Sequence, residues 1–237
     1  MQDICSEIYS GSYLKYVTFT TSEGFILIKT KGDLIFYLEA DRFALGRKNK
    51  KPAFYDKIWR FQICLRKLEY HSNNITSPLS KILKKFYQYK KFQLSYELGF
   101  DIPINVFGAG LRINHFGYIV IHPSTRVGMW CDIHQGVNIG VNNSVEDQMK
   151  APVIGDNVWI GPGAKIFGNI NIGDRVQIGA NSVVNRGIPS DITIAGIPAK
   201  KIKDIGTDAS NITANRKIAE QFFQNNPRYQ KYKYNVE

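Results

Sequence analysis

From Val153 the chain counts in sixes: "VIGDNV", "WIGPGA", "KIFGNI", "NIGDRV", "QIGANS", "VV". Ile154, Ile160, Ile166, Ile172, Ile178 and Val184 keep the beat, and Gly follows at 155, 161, 173 and 179. Before an interruption at 142–152 the same beat runs through Ile121, Val127, Ile133 and Ile139. A period of six is neither the 3.6 of a helix nor the 2 of a strand, so it requires a solenoid of short strands joined by tight corners. Three sixes close one triangular turn. Each face then stacks one aliphatic side chain per coil, and parallel strands bond to the coils above and below.

The first hundred residues keep a different period. Phe54, Ile58, Phe61, Leu65 and Leu68 step by four and three, as do Leu79, Ile82, Phe86 and Tyr89, with Ser77-Pro78 as a helix start between them. Both read as amphipathic helices with those residues on the buried face. "KGDLIFYLEADRFALG" reads as a third, with Asp33 as N-cap and Gly46 as its stop. "YVTFTTSEGFILIKT" suits a hairpin, and residues 212–225 suit a short helix before a polar tail. The expected organisation is a mostly helical part over 1–98, a parallel β-helix in the form of a triangular prism over 99–205, and a C-terminal helix and tail over 206–237. The fold class is thus mainly β with an α-helical N-terminal part.

Charge and cysteines narrow the chemistry. Of the net charge of +11, residues 1–98 carry +8, in runs such as "GRKNKKP" and "KILKKFYQYKK". Three readings stand for this segment: a solvated helix face, attraction to an anionic membrane surface or acidic glycan, and nucleic acid. Without a recognisable nucleic-acid module the last is set aside. No apolar run approaches the roughly 20 residues of a membrane span, and "MQDICSEIYS" lacks the layout of a secretory signal, so a cytoplasmic location is expected, with peripheral contact at the inner membrane face as an option. Cys5, Cys64 and Cys131 are few and far apart, which suggests neither a disulfide framework nor structural zinc, and Cys131 falls on an inward position.

Counting back six from Ile121 reaches His115, where an aliphatic residue is due. An imidazole buried there without a partner would cost about 2–7 kcal/mol, so the backbone is expected to shift and turn it out into a cleft. A neutral imidazole within reach of an alcohol can take its proton as the oxygen attacks a thioester, and a carboxylate on the other ring nitrogen would fix the tautomer. His134 follows 19 residues later, near one full turn of 18, which places it near the same edge. His122 is expected to face solvent, and His71 to end a helix as a cation suited to the dipole.

Together, "GLRINHFGYIVIHPSTRVG", "DIHQGVNIG", the run of sixes and "IAGIPAKKI" resemble the serine acetyltransferase family, left-handed β-helix acetyl-CoA-dependent transferases with an N-terminal helical part. The resemblance implies a general-base histidine at His115 and an orienting aspartate at Asp101 in "FDIPI". It implies acetyl-CoA as co-substrate in a groove between adjacent protomers of a homotrimer, against corners at Gly161-Pro162 and Gly179-Ala180, with Lys200 and Lys201 for the nucleotide phosphates. No metal is expected. Serine-specific members carry Asp directly before the base and an Arg-His pair where the repeat reopens; here those places hold Asn114 and Lys150-Ala151. Asn114 supplies no charge for an ammonium, which points to a neutral polyol. The acceptor expected is therefore a sugar hydroxyl of a surface or capsular polysaccharide or its precursor, with Asn114, His134 and Lys150 as acceptor contacts and the insertion as a cover. L-Serine is the alternative acceptor. Two rivals of other classes stand beside these: a γ-carbonic-anhydrase-like zinc enzyme using His115, His122 and His134, and a non-catalytic β-helix scaffold.

Overall fold

The computed structural model describes residues 27–74, 77–142, 150–209 and 216–233. Most of the hairpin expected over 16–30, Cys5 and residues 143–149 of the insertion lie outside the described residues.

Among the described residues three helices precede the coil: α1 (Lys31–Ala44), α2 (Lys57–Asn73) and α3 (Pro78–Leu98). Thr30, not Asp33, caps α1. Its hydroxyl accepts from the Asp33 N–H while the Asp33 carboxylate accepts from the Thr30 N–H, a reciprocal box with Asp33 in the first turn. Gly46 follows the helix at φ +66°, a conformation only glycine adopts without strain. Phe54 lies outside α2 and is exposed. Ser77 caps α3 as expected, accepting from the Ser80 N–H. However, α3 buries the face of Ser80, Leu94 and Leu98, so Leu79, Ile82, Phe86 and Tyr89 point away from the core.

Residues from Phe100 wind into a parallel coil. Its strands fall into three sheets visited in rotation. On the third sheet Ile113, Ile133, Ile160, Ile178 and Ile194 stand in one column, in β2 (Arg112–Ile113), β5 (Asp132–Ile133), β8 (Trp159–Ile160), β11 (Gln177–Ile178) and β13 (Thr193–Gly196). The first sheet stacks Ile121 of β3 (Ile119–Ile121), Ile139 of β6 (Asn138–Gly140), Ile166 of β9 (Lys165–Phe167) and Val184 of β12 (Val183–Val184), with Phe100 of β1 (Phe100–Asp101) beside Ile119. The second stacks Phe107, Val127, Ile154, Ile172 and Ile188, through β4 (Arg126–Val127), β7 (Val153–Ile154) and β10 (Asn171–Ile172). All these side chains are buried, as is Cys131, whose thiol burial pushes well above its ordinary pKa.

One corner explains the recurrent Gly-Asp pair. The Asp156 carboxylate accepts from the Met129 N–H (2.6 Å), the Asp174 carboxylate from the Asp156 N–H (2.8 Å), and the Ser190 hydroxyl from the Asp174 N–H (2.9 Å). Each acceptor sits where a Cβ on the preceding glycine would be: 2.1 Å at Gly128, 2.2 Å at Gly155 and 2.4 Å at Gly173. Glycine is required there by the neighbouring coil.

Arg66 welds the helices to the first coil. Fully buried, it spends all five N–H donors: Asp41 (2.8 and 3.3 Å), Glu69 (3.1 Å), and the carbonyls of Phe107 (2.8 Å) and Gly108 (2.7 Å). Asp41 in turn accepts from the N–H groups of Gly110 and Leu111, and Glu69 from that of Asn105. The C-terminal segment is no free polar tail. α4 (Arg216–Asn225) and the 3₁₀ turn Pro227–Tyr232 bring Phe222, Phe223, Tyr229 and Tyr232 against Phe36, whose ring stacks on Tyr232 at 4.1 Å.

Candidate functional site

The aliphatic place on this face belongs to Ile113, and His115 is two residues beyond it. Eight residues separate Ile113 from Ile121, whereas six separate Ile133 from Ile139 and Ile160 from Ile166. The corner between β2 and β3 is therefore two residues longer than those stacked on it, and the excess carries His115 into solvent. Phe116 and Tyr118, on either side of Gly117, are exposed beside it. None of the described residues hydrogen-bonds the His115 ring, so its nitrogens are available to a ligand.

Asn114 and His134 lie next to one another in the register that pairs Ile113 with Ile133. His134 is buried, its Nδ1–H donating to the Ile160 carbonyl at 3.1 Å. That bond leaves Nε2 as an acceptor, and the Asn114 amide donates to it at 2.7 Å. Asn114 Oδ1 accepts from Arg112 at 3.1 Å, completing a chain from Arg112 through Asn114 and His134 to Ile160. Burial lowers the pKa of His134 below its ordinary value; Asp132 and the bond to the Ile160 carbonyl oppose this, and His115 and Arg112 add to it. His134 is thus held neutral with both nitrogens engaged. Its ring lies 4.9 Å from Trp159 and 6.2 Å from His115, centroid to centroid.

Arg112 and Asp132 escaped the sequence reading. They occupy facing places on β2 and β5, with Arg112 Nη1 3.8 Å from Asp132 Oδ2 and His134 Nδ1 3.8 Å from Asp132 Oδ1. The available signal was a charged residue one place before the aliphatic column on two successive coils. Asp101, expected to orient His115, instead lies exposed on β1 paired with Val120, and makes no hydrogen bond to His115. Its field acts on Lys91, whose pKa burial lowers and Asp101 raises in part.

The residue after each aliphatic on the third sheet forms a line down one edge: His134, Gly161, Gly179 and Ala195, with Asn114 at its head. A Cβ on Gly161 would lie 2.7 Å from the Ile178 carbonyl, and one on Gly179 2.8 Å from the Ala195 Cβ. Those glycines thus serve coil stacking in the first place; Pro162 is half-buried and Ala180 exposed on the same edge. At its foot β14 (Ala199–Lys203) turns back antiparallel on β13, setting Lys200 beside Ala195 and Lys201 beside Ile194. Lys200 is exposed, while Lys201 pairs with Asp204 at 2.5 Å. Four coil spacings, about 19 Å, separate Asn114 from this hairpin. Lys150 lies apart, exposed where the chain re-enters the coil at β7, one corner further on.

The other two histidines differ from expectation. His122 is half-buried at the next corner, its Nδ1 accepting from the Ser124 N–H at 3.2 Å, and burial lowers its pKa. His71 stacks on Tyr87 at 5.7 Å, and burial first, then Lys67, lowers its pKa, so it does not act as a cation on the helix end. Among the described residues no group of three or more His, Cys, Asp or Glu is placed to hold a metal ion.

Residues 151–186 match the family model described as bacterial transferase hexapeptide (six repeats). Across 234 aligned residues the chain is 34% identical to the serine acetyltransferase of Buchnera aphidicola subsp. Acyrthosiphon pisum, spanning 87% of this chain and 83% of that enzyme. The chain belongs to the serine acetyltransferase family. Within that family it is 44% identical over 95 residues to the Synechococcus elongatus enzyme, 40% of this chain and 38% of that one. Its match with the Buchnera aphidicola subsp. Schizaphis graminum enzyme spans 48% of the latter. Among solved members, the Brucella abortus serine acetyltransferase superposes with a TM-score of 0.57 at 26% identity over 75% of this chain and 72% of that one. A serine acetyltransferase in complex with CoA does so with 0.55 at 28% identity over 73% and 71%. Family membership makes the coil a left-handed parallel β-helix.

Proposed function

We propose that the chain is an acetyl-CoA-dependent O-acetyltransferase in which His115 is the general base. One observation carries this reading: an exposed imidazole with uncommitted nitrogens stands on a lengthened corner, at the head of an edge of small residues that ends in a lysine hairpin. The His115 ring accepts the proton of the acceptor hydroxyl as that oxygen attacks the thioester carbonyl. The tetrahedral intermediate then collapses, the C–S bond breaks, and the departing thiolate recovers the proton from the imidazolium. Lys200 and Lys201 supply charge for the nucleotide phosphates, and the small corners at Gly161-Pro162 and Gly179-Ala180 let the pantetheine amides approach the main chain. His134, kept neutral by burial and fixed in orientation by Ile160 and Asn114, adds no competing charge beside the base.

In this reading the coil is a triangular prism. A second copy supplies the other wall of the donor groove, giving a homotrimer, with acetyl-CoA met in the cytoplasm. The relatives favour L-serine as acceptor. A sugar hydroxyl is a second reading, favoured by a specific observation: Asn114 spends its amide on His134 and its carbonyl on Arg112, Ala151 is buried, and the exposed Phe116 and Tyr118 offer flat apolar faces beside His115.

Thiol release from acetyl-CoA in the presence of L-serine, free sugars and oligosaccharides tests both readings. A His115→Ala variant is expected to lose about 10²–10⁴-fold in kcat while still being stabilised thermally by CoA. Unchanged turnover in that variant would remove His115 from the chemistry. Absence of CoA-dependent stabilisation in the parent protein would remove the enzyme reading.

A further inference from the structure

The outer face of α3 has no partner among the described residues. Leu79, Ile82, Phe86, Tyr89, Phe92 and Tyr96 are each 50–86% exposed. At 100° per residue they share one arc, opposite the buried face of Ser80, Leu94 and Leu98. Lys81, Lys85 and Lys90, all exposed, border or interrupt this arc, whereas Lys84 and Lys91 lie toward the packed face. The helix's single carboxylate, Glu97, is already paired with Lys57. At Phe86 and Lys90 the band runs into an open cleft of about 890 Å³ whose cations are Arg42, Lys50, Lys51, Arg60, Lys67 and Lys90. Its one carboxylate, Glu39, is held by Arg228 at 2.7 Å.

We infer that this face docks on an anionic bilayer surface, α3 lying in the plane of the interface with its aromatic band among the acyl chains and the flanking and cleft cations on lipid headgroups. An amphipathic helix with aromatic and aliphatic residues on one side and lysines beside them has the composition for such contact. The excess of unpaired cation over carboxylate fixes the sign of the partner's charge. A second copy fits this face poorly, because apposing two such bands would bring Lys81, Lys85 and Lys90 of each together with no free carboxylate of the helix between them. A soluble phosphate would occupy the cleft but leave the band in water. No described helix is long and apolar enough to cross a membrane, so contact through α3 is peripheral. This inference is independent of the acetyl-transfer reading.

The test is co-flotation of the full chain with vesicles of phosphatidylcholine alone or with about 30 mol% phosphatidylglycerol, at low and high salt. Binding is expected only to the anionic vesicles. It should fall about fivefold for each of Lys81→Glu and Lys85→Glu, at least tenfold in Ile82→Glu/Phe86→Glu, and with added salt. All four positions lie on the helix surface, so unfolding temperature is expected to hold. Lys233→Glu, an equal charge change elsewhere, should leave binding intact. Equal recovery with neutral vesicles, or none with either, would overturn the inference. So would a drop in oligomeric mass in Ile82→Glu/Phe86→Glu without vesicle binding by the parent, which would make the face a contact between copies. Displacement by inorganic phosphate with the Ile82→Glu/Phe86→Glu variant binding normally would likewise refute it, reducing the site to a soluble-anion cleft.

Discussion

Replacing Arg66 by Met removes five donors from a fully buried site. The two carboxylates it serves, Asp41 and Glu69, are both buried, and breaking such a cluster by removing one partner costs about 3–5 kcal/mol. For a chain of this size each kcal/mol lowers the unfolding temperature by about 2–4 °C, so the expected drop is about 6–20 °C at fixed protein concentration. Arg66→Lys should fall in the same range, because an ammonium cannot reach both carboxylates and the carbonyls of Phe107 and Gly108 at once. The further step of making all three residues apolar distinguishes this cluster from a simple ion triad, for which that exchange is often neutral. Here Asp41→Leu and Glu69→Leu would orphan the N–H groups of Gly110, Leu111 and Asn105, and loss of Arg66 the two carbonyls. Five unsatisfied backbone groups at about 1 kcal/mol or more each should keep the triple variant several kcal/mol below the parent. Differential scanning calorimetry reads all three. A triple variant as stable as the parent would refute the claim that the cluster is there to satisfy backbone.

Asn114→Asp removes the N–H donated to His134 Nε2 and sets a carboxylate there, so the His134 pKa should rise, measurable in its imidazole proton resonance, while turnover of L-serine rises relative to sugars. Burial raises Asp156 from 3.8 to about 6, so the folded state binds its proton more tightly than the unfolded state. That gap is worth about 3 kcal/mol, present in full below pH 3.8 and lost as pH rises through 6. Denaturant titrations between pH 5 and 7 should show stability falling with pH by about 1–2 kcal/mol from this group, a component missing in Asp156→Asn. Gly155→Ala puts a Cβ 2.2 Å from the Asp174 carboxylate and 2.8 Å from its backbone nitrogen, so a loss of about 1–3 kcal/mol in urea unfolding is expected.

The six-residue beat made the coil legible because each aliphatic at its place is stacked on its counterpart in the next coil, from Ile133 to Ile160 to Ile178. The same beat misled at His115. A corner can lengthen by two residues without disturbing the columns on either side, and Ile113, Ile119 and Ile121 all suit an inward place. His115 was found for its type and motif, and its exposure comes from that added length. The helix α3 has apolar residues at helical spacing on opposite faces, Leu79, Ile82 and Phe86 on one and Leu94 and Leu98 on the other, so periodicity alone could not choose which meets α2. Arg66 reads as a surface cation on an amphipathic helix. Its partner Asp41 lies 25 residues away, and only the fold brings them together.

The hairpin at the C-terminal end of the coil has a consequence for solubility. Every coil leaves a row of bare N–H and C=O groups for the next, so a stack that simply stopped would offer its last strand as a template for another molecule. β14 runs antiparallel across β13, and its outer row carries Lys200, Lys201 and Lys203. Stripped of that charged antiparallel cover, two molecules should pair tail to tail through their bared last strands, because the helices close the other end of each stack.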